Sequence, residues 1–392
     1  MSVSFHRAYS FLIAAFGLFT LIGCGGSESS SESASSGADK IKVGQFYALS
    51  GEQATFGISS KKGSELAFAE INAAGGVRGG AQLEHITFDT RGIPQETGNA
   101  VTRLINNEKV VALLGEVASS LSDAGGQVAQ EYRVPMITPA STNPKVTQIG
   151  DMVHRICFID PFQGFVVAKF LKENKNATKV AVLFDQGQAY SVGLKDAFLE
   201  AYPKMGGEIL TVQSYSSGDQ DFSAQLTNIR DLKPDAIFIP GYYTEVANIA
   251  LQAKRLGVNT ILIGGDGWTS EKLTEIAGDS IEGAYYSNHY SPEDSRPKVQ
   301  EFIKNFKEAY GGETPDAMAA LAYDSVYILA DAMNRAESLE PDDLAAAIAS
   351  TKDFDGVTGK ITLNAERNAE KDAVILQIQN GESRFVTTVS PN

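Results

Sequence analysis

The sequence predicts an α/β fold made of two lobes, each built on a parallel central sheet. Three observations carry this. Strand-like and helix-like segments alternate from Ile41 to Thr138, as in a parallel sheet wound with right-handed crossovers. The alternation starts again after Asp151 and runs to about Gly264. About 350 residues remain after the first forty, more than one typical core accommodates and comfortable for two.

The first forty read differently. Residues 1–23 carry one formal charge, Arg7, and then an apolar run from Phe11 to Ile22. That run is too short for a stable bilayer span and has the proportions of a signal-peptide core. It ends Leu21-Ile22-Gly23-Cys24, which resembles a bacterial lipobox, so Cys24 is the expected site of lipidation. Gly25–Asp39 has almost no apolar content and reads as a tether. The chain is expected in the periplasm or cell envelope, touching the membrane only through acyl chains on Cys24.

From there each element has its own signal. Ile41–Tyr47 alternates as a strand, Ala48–Gly57 forms a loop, and an amphipathic helix runs through Asn72 to the Gly-rich turn Ala74–Gly80. Leu83–Asp89 reads as a strand, Gln95–Glu108 as a helix and Val110–Gly115 as a buried strand. In the second series Phe162–Asn174 is a predicted helix, Lys179–Asp185 a strand and Ser191–Met205 a helix. Glu208–Tyr215, Phe222–Leu232, Asp235–Pro240, Glu245–Leu256 and Thr260–Gly264 continue it. The rhythm stops near Ser287–Ser291, and two helical patterns follow, Lys298–Tyr310 and Asp316–Ala336. Ile361–Val386 reads as strands, including Ala373–Gln379, with a turn at Asn380-Gly381.

Two loops stand out chemically. Ser119 and Ser120 fall where a helix should begin, beside its orphan N–H groups and positive dipole end. Pro135–Thr138 reads as the neighbouring strand, and the loop after it, Ala140-Ser141-Thr142-Asn143, is small and hydroxyl-bearing. Loops at the carboxyl ends of adjacent parallel strands are where open α/β sheets bind ligands. With no Lys or Arg between Gly115 and Gln130, they suit a carboxylate better than a phosphate. The plainer reading is that these hydroxyls only cap helices.

Composition excludes several classes. The formal net charge of −15 argues against a nucleic-acid partner, because phosphate binding needs clustered Lys and Arg. His6, His85, His154 and His289 are scattered, without metal-ligand spacing or a nucleophile motif beside them. No G-x-S-x-G or P-loop is present, so no catalytic residue, metal or cofactor is expected. Cys157, inside the apolar run Val153–Phe158, reads as a buried small hydrophobe.

The segments IKVGQFYALSG, INAAGGVRGG, VPMITPAST, DFSAQLTNIRDLKPDAIFIPGYY, Ile263-Gly264-Gly265-Asp266-Gly267 and ALAYDSVYILADAM together resemble periplasmic binding proteins of the branched-chain amino acid type. These feed ABC importers. The resemblance spans essentially the whole chain after the tether and implies a type I periplasmic-binding-protein fold, with two lobes joined by a three-segment hinge. The crossings would fall near Ile156, Asn288 and Asn364. Lobe 1 would be residues 40–156 plus 289–364, and lobe 2 residues 157–288 plus 365–392.

The resemblance also implies a ligand site split between the lobes. In the family one lobe grips the ligand carboxylate with loop N–H groups and hydroxyls, at positions matching Val117, Ala118, Ser119, Ala140 and Thr142. The other gives an acidic residue to the ammonium, matching Asp266, and aromatic walls, matching Tyr190 and Tyr242. Phe56 matches the aromatic residue bordering the side-chain pocket. Amino-acid binders of the family often carry Glu where this chain has Asp266, which moves the anion by about one bond length. Trp268 either narrows the pocket or packs its lobe.

The function so implied is capture of a branched-chain or related amino acid between closing lobes, as a monomer, for delivery to an ABC permease. The alternatives are a sensory module of the same fold signalling to a membrane receptor, and a binder of an aromatic amino acid or related amide.

Overall fold

The computed structural model describes residues 40–391. The leader 1–23, Cys24 and the Gly25–Asp39 tether lie outside the described residues. The first series comprises β1 (Lys40–Tyr47), α1 (Ala54–Ala73), β2 (Gln82–Asp89), α2 (Pro94–Arg103), β3 (Ala112–Gly115), α3 (Ser119–Glu131), β4 (Met136–Thr138), α4 (Lys145–Gln148) and β5 (Val153–Arg155). Its strands form a parallel sheet in the order β2-β1-β3-β4-β5. Both faces are covered, so β1 is nearly all buried rather than alternating with water. Val43 and Tyr47 point to one apolar cluster with Phe68 of α1, and Phe46 points to another with Val101 of α2.

The second series comprises α5 (Asp160–Lys169), β6 (Lys179–Asp185), α6 (Ala189–Lys204), β7 (Glu208–Tyr215), α7 (Ser223–Leu232), β8 (Ala236–Ile239), α8 (Tyr243–Arg255), β9 (Ile261–Gly264), α9 (Glu271–Ala277) and β10 (Tyr285–Asn288). Between β9 and α9 a short 3-10 turn covers Asp266–Trp268. The chain then returns to the first lobe with α10 (Pro297–Ala309), α11 (Ala317–Arg335) and α12 (Pro341–Ala349). The small strands β11 (Phe354–Gly356), β12 (Gly359–Leu363) and β13 (Ala369–Glu370) follow, then β14 (Ala373–Gln379) and β15 (Glu382–Val389). The second sheet runs β15-β14-β10-β9-β8-β6-β7, parallel from β7 to β10 and antiparallel where β14 and β15 join. Asn380 and Gly381, at φ 54° and 75°, turn the β14–β15 hairpin.

Three passages therefore link the sheets: after β5, after β10 and between β13 and β14. The helices α10 and α11 bind the returned chain to α1. There Gly63 lies so close to α11 that a Cβ would stand 2.0 Å from the Ala319 carbonyl oxygen.

Some elements differ from the sequence expectation. The helix expected over Gln95–Glu108 is α-helical only to Arg103; Leu104–Glu108 is a widened π turn ended by Lys109 at φ 59°. The helix expected from Phe162 starts at Asp160, where Pro161 suits the first turn, which needs no N–H from it. The short elements β5, α4, α9, β10 and α12 had no expectation.

Candidate functional site

Where the carboxyl ends of the two sheets face each other lies a small, nearly filled cavity. Its walls are Phe56, Val117, Ser119, Ala140, Tyr190, Tyr242 and Asp266, with Gly267 and Met318. Ser119 begins α3, whose first N–H groups have no intrahelical acceptor. Its hydroxyl accepts a hydrogen bond from the Asn143 N–H at 3.2 Å, so the two small-residue loops are tied together. Neither Ser119 nor Ser120 is the N-cap; that position is Ala118.

Ala118 and Thr142 do not line the cavity. The Val117 N–H is taken by Glu116 Oε2 at 2.6 Å. Thr142 is wholly buried, and its hydroxyl lies beside Asp160 without a well-formed hydrogen bond. Trp268 is not on the wall either. Its indole N–H donates to the Ile239 carbonyl at 3.0 Å and its ring stacks near Tyr286, so it packs the second lobe.

The aromatic wall is ordered by contacts within it. Tyr190 and Tyr242 stack at 5.2 Å and 10°, and Phe56 meets Tyr242 edge-on at 5.6 Å. The Tyr190 hydroxyl accepts from the Gly267 N–H at 3.1 Å, which fixes the turn carrying Asp266. Burial, and the nearby Asp266 charge, push both tyrosine hydroxyls well above their ordinary pKa. They remain neutral donors.

Asp266 is 3 % exposed and both of its oxygens accept hydrogen bonds. Gln163 Nε2 donates to Oδ1 at 2.9 Å, and His289 Nε2 lies 3.0 Å from Oδ2. Burial holds the His289 ring below the ordinary imidazole value despite the pull of Asp266. Among the described residues Asp266 forms no ion pair with Lys or Arg; His289 is its one basic partner. A carboxylate offers about four acceptor positions, so two donors leave room for a third. Removed from water and met only by neutral donors, this charge favours an incoming cation.

Sequence reading missed Gln163, His289, Met318 and Gly267. It also missed Arg155, wholly buried, whose guanidinium donates to the Ser141 carbonyl, to Asn143 O at 2.8 Å and to Thr147 Oγ1 at 3.2 Å. Arg155 thus pins the loop that carries Ala140 and Thr142. Cys157 is buried as expected, its thiol pushed up to about 12 by desolvation.

The lobes touch along the rim of the cavity. Ala189 N–H donates to Ser120 Oγ at 3.2 Å, Asn143 Nδ2 to Ala189 O at 2.7 Å and Ser270 Oγ to Thr55 Oγ1 at 3.1 Å. The Tyr243 hydroxyl donates to the Glu52 carbonyl. A wider groove between α3 and α6, lined by Ser120, Asp123, Gln188, Asp196 and Glu200, meets the cavity at Ser119. Apolar side chains such as Phe165, Val192 and Met205 also line it, but neither Asp266 nor the aromatic wall does, so the cavity that holds them is the better candidate site. Among the described residues no cluster of His, Cys, Asp and Glu could hold a metal ion, and no helix is long and apolar enough to cross a membrane.

Residues 40–383 match the family model described as periplasmic binding protein. The fold superposes on a leucine binding protein, LivK, from Thermotoga maritima, with a TM-score of 0.86 and 40% identity over 90% of this chain and 99% of that one. It also superposes on LivJ of Streptococcus pneumoniae, a branched-chain amino acid transporter substrate binding protein solved with isoleucine, with a TM-score of 0.85 and 33% identity over 90% and 100%. A leucine-, isoleucine-, valine-, threonine- and alanine-binding protein of Pseudomonas aeruginosa is 29% identical over 326 residues, 83% of this chain and 86% of that protein.

Proposed function

The chain belongs to the periplasmic binding protein family, and from that premise we propose that it captures a branched-chain amino acid between its lobes and delivers it to an ABC permease. One observation carries the choice of ligand. A single cavity is lined both by Ser119, at the start of α3, and by Asp266, a buried carboxylate that among the described residues pairs with no Lys or Arg. We read the start of α3 as the seat of the ligand's carboxylate and Asp266 as that of its ammonium, a pairing that a zwitterion satisfies. The aromatic and apolar walls, Phe56, Tyr190, Tyr242 and Met318, suit an uncharged side chain.

Calorimetric titration with L-leucine, L-isoleucine and L-valine tests this, beside isoamylamine and 4-methylvaleric acid as analogues lacking one charged end. Binding of the amino acids and none of the analogues is expected. Small-angle scattering should show compaction on binding, because a ligand that touches both lobes favours the shut form. Equal binding of either analogue would overturn the zwitterion reading. The passages after β5, after β10 and between β13 and β14 are the proposed hinge; the third lies past the expected Asn364, because β13 still pairs with β12.

Anchoring through Cys24 belongs to the same proposal, on the strength of Leu21-Ile22-Gly23-Cys24. Cys24→Ser is expected to move the protein from the membrane pellet to the soluble fraction. Retention in the pellet would exclude the lipid anchor.

A further inference from the structure

His289 follows β10 directly, at the passage back to the first lobe. Its side chain is wholly buried and stacks on Phe158 with ring centroids 3.7 Å apart. Because the Asp266 carboxylate accepts, the His289 Nε2 must carry the ring proton, and Nδ1 is buried with no partner. In the neutral ring Nδ1 is a bare acceptor. A second proton would turn it into an unmatched donor and place a full positive charge 3.0 Å from Asp266 Oδ2.

We propose that His289 is a positioning residue coupling ligand affinity to pH: neutral, it holds Asp266 for the ligand's ammonium; protonated, it satisfies that carboxylate itself and the ligand is released. This rests on the reading of Asp266 as the ammonium partner. Of the other titratable groups near the pair, only Glu116 changes charge as pH falls from about 7 to about 5. Asp160 of α5, pushed up to about 8 by burial, is already protonated. Lys371, pulled down to about 8 by burial, is already charged. Cys157 stays a thiol, Tyr190 stays a phenol, and Arg155 is turned to backbone carbonyls. Glu116, pushed up to about 7, does titrate in this range, but it bonds Thr90 and Val117 on the first lobe.

The test is calorimetric titration of L-leucine from about pH 7 to about pH 5 with the wild-type protein, His289→Gln and Asp266→Asn. For the wild type, affinity should fall by up to about tenfold per pH unit below the ring's own pKa, since one proton competes with one ligand. His289→Gln keeps a neutral donor but has no site for a second proton, so whatever its affinity near neutral pH, that affinity should stay flat as pH falls. A fall in His289→Gln as steep as in wild type would overturn the role of His289 and point to Glu116. Asp266→Asn separates the two readings: unaltered leucine affinity in that variant removes the ammonium seat itself. If His289→Gln does not fold, nitrogen NMR of the wild-type imidazoles decides. An Nε2–H tautomer whose pKa drops further when leucine binds supports the proposal, and an Nδ1–H tautomer overturns it.

Discussion

Asp266→Asn is expected to weaken L-leucine binding by about two to three decades while the melting temperature changes little. Removing one member of a buried charge pair strands the other, at a cost of roughly 3–5 kcal/mol, and about 1.4 kcal/mol corresponds to tenfold in affinity. The stranded group here is the ligand's ammonium, so the cost falls on the complex and spares the empty protein. Asn keeps one acceptor for Gln163 or His289, which limits the damage to the turn. Calorimetry paired with thermal melting distinguishes this from a purely structural role. A lowered melting temperature with intact affinity would mean that Asp266 only stabilises Asp266–Trp268.

Arg155→Leu is expected to lose stability and binding together. The guanidinium is wholly buried and serves the carbonyls of Ser141, Asn143 and Pro144 and the Thr147 hydroxyl. Each acceptor left unmatched costs about 1–3 kcal/mol, and partial relaxation brings the sum to roughly 3–5 kcal/mol. The freed loop carries Ala140, so the cavity wall loosens as well. Arg155→Lys should fall between, because an ammonium reaches fewer acceptors than the planar fork. Scanning calorimetry of both variants, with leucine titrations alongside, checks the order. A melting temperature for Arg155→Leu equal to wild type would show the loop to be held by other contacts.

Long buried strands were legible from local pattern alone. Ala373–Gln379 and Lys179–Asp185 are covered on both faces, so their apolar runs coincide with β14 and β6. β5 is three residues, Val-His-Arg, and looks polar because its partners are carbonyls far along the chain. The His154 ring lies 3.3 Å from Met136 O and 3.1 Å from Ala345 O. β10 reads Tyr-Tyr-Ser-Asn, only four residues and polar at its end, which is too short a pattern to stand out as a strand. The same limit applies to the site. The small hydroxyl loops and Asp266 announced themselves by composition and resemblance. His289 and Gln163 lie 23 and 103 residues from Asp266, and no local spacing encodes such contacts. Met318 looked like ordinary apolar helix, which on its other neighbours it is.

The rim hydrogen bonds of Ser120, Asn143, Ser270 and Tyr243 join the lobes outside the charged heart of the cavity. If the lobes close as proposed, these bonds would favour the shut form whether or not anything is enclosed. The observed dissociation constant is that of the shut form divided by the fraction of molecules able to adopt it. Trimming a rim hydroxyl would therefore scale affinity for every ligand by one common factor, while a change at Phe56 or Met318 would reorder the ligands. On that proposal strength and selectivity would lie in different residues, and a descendant of this chain could adjust either without disturbing the other.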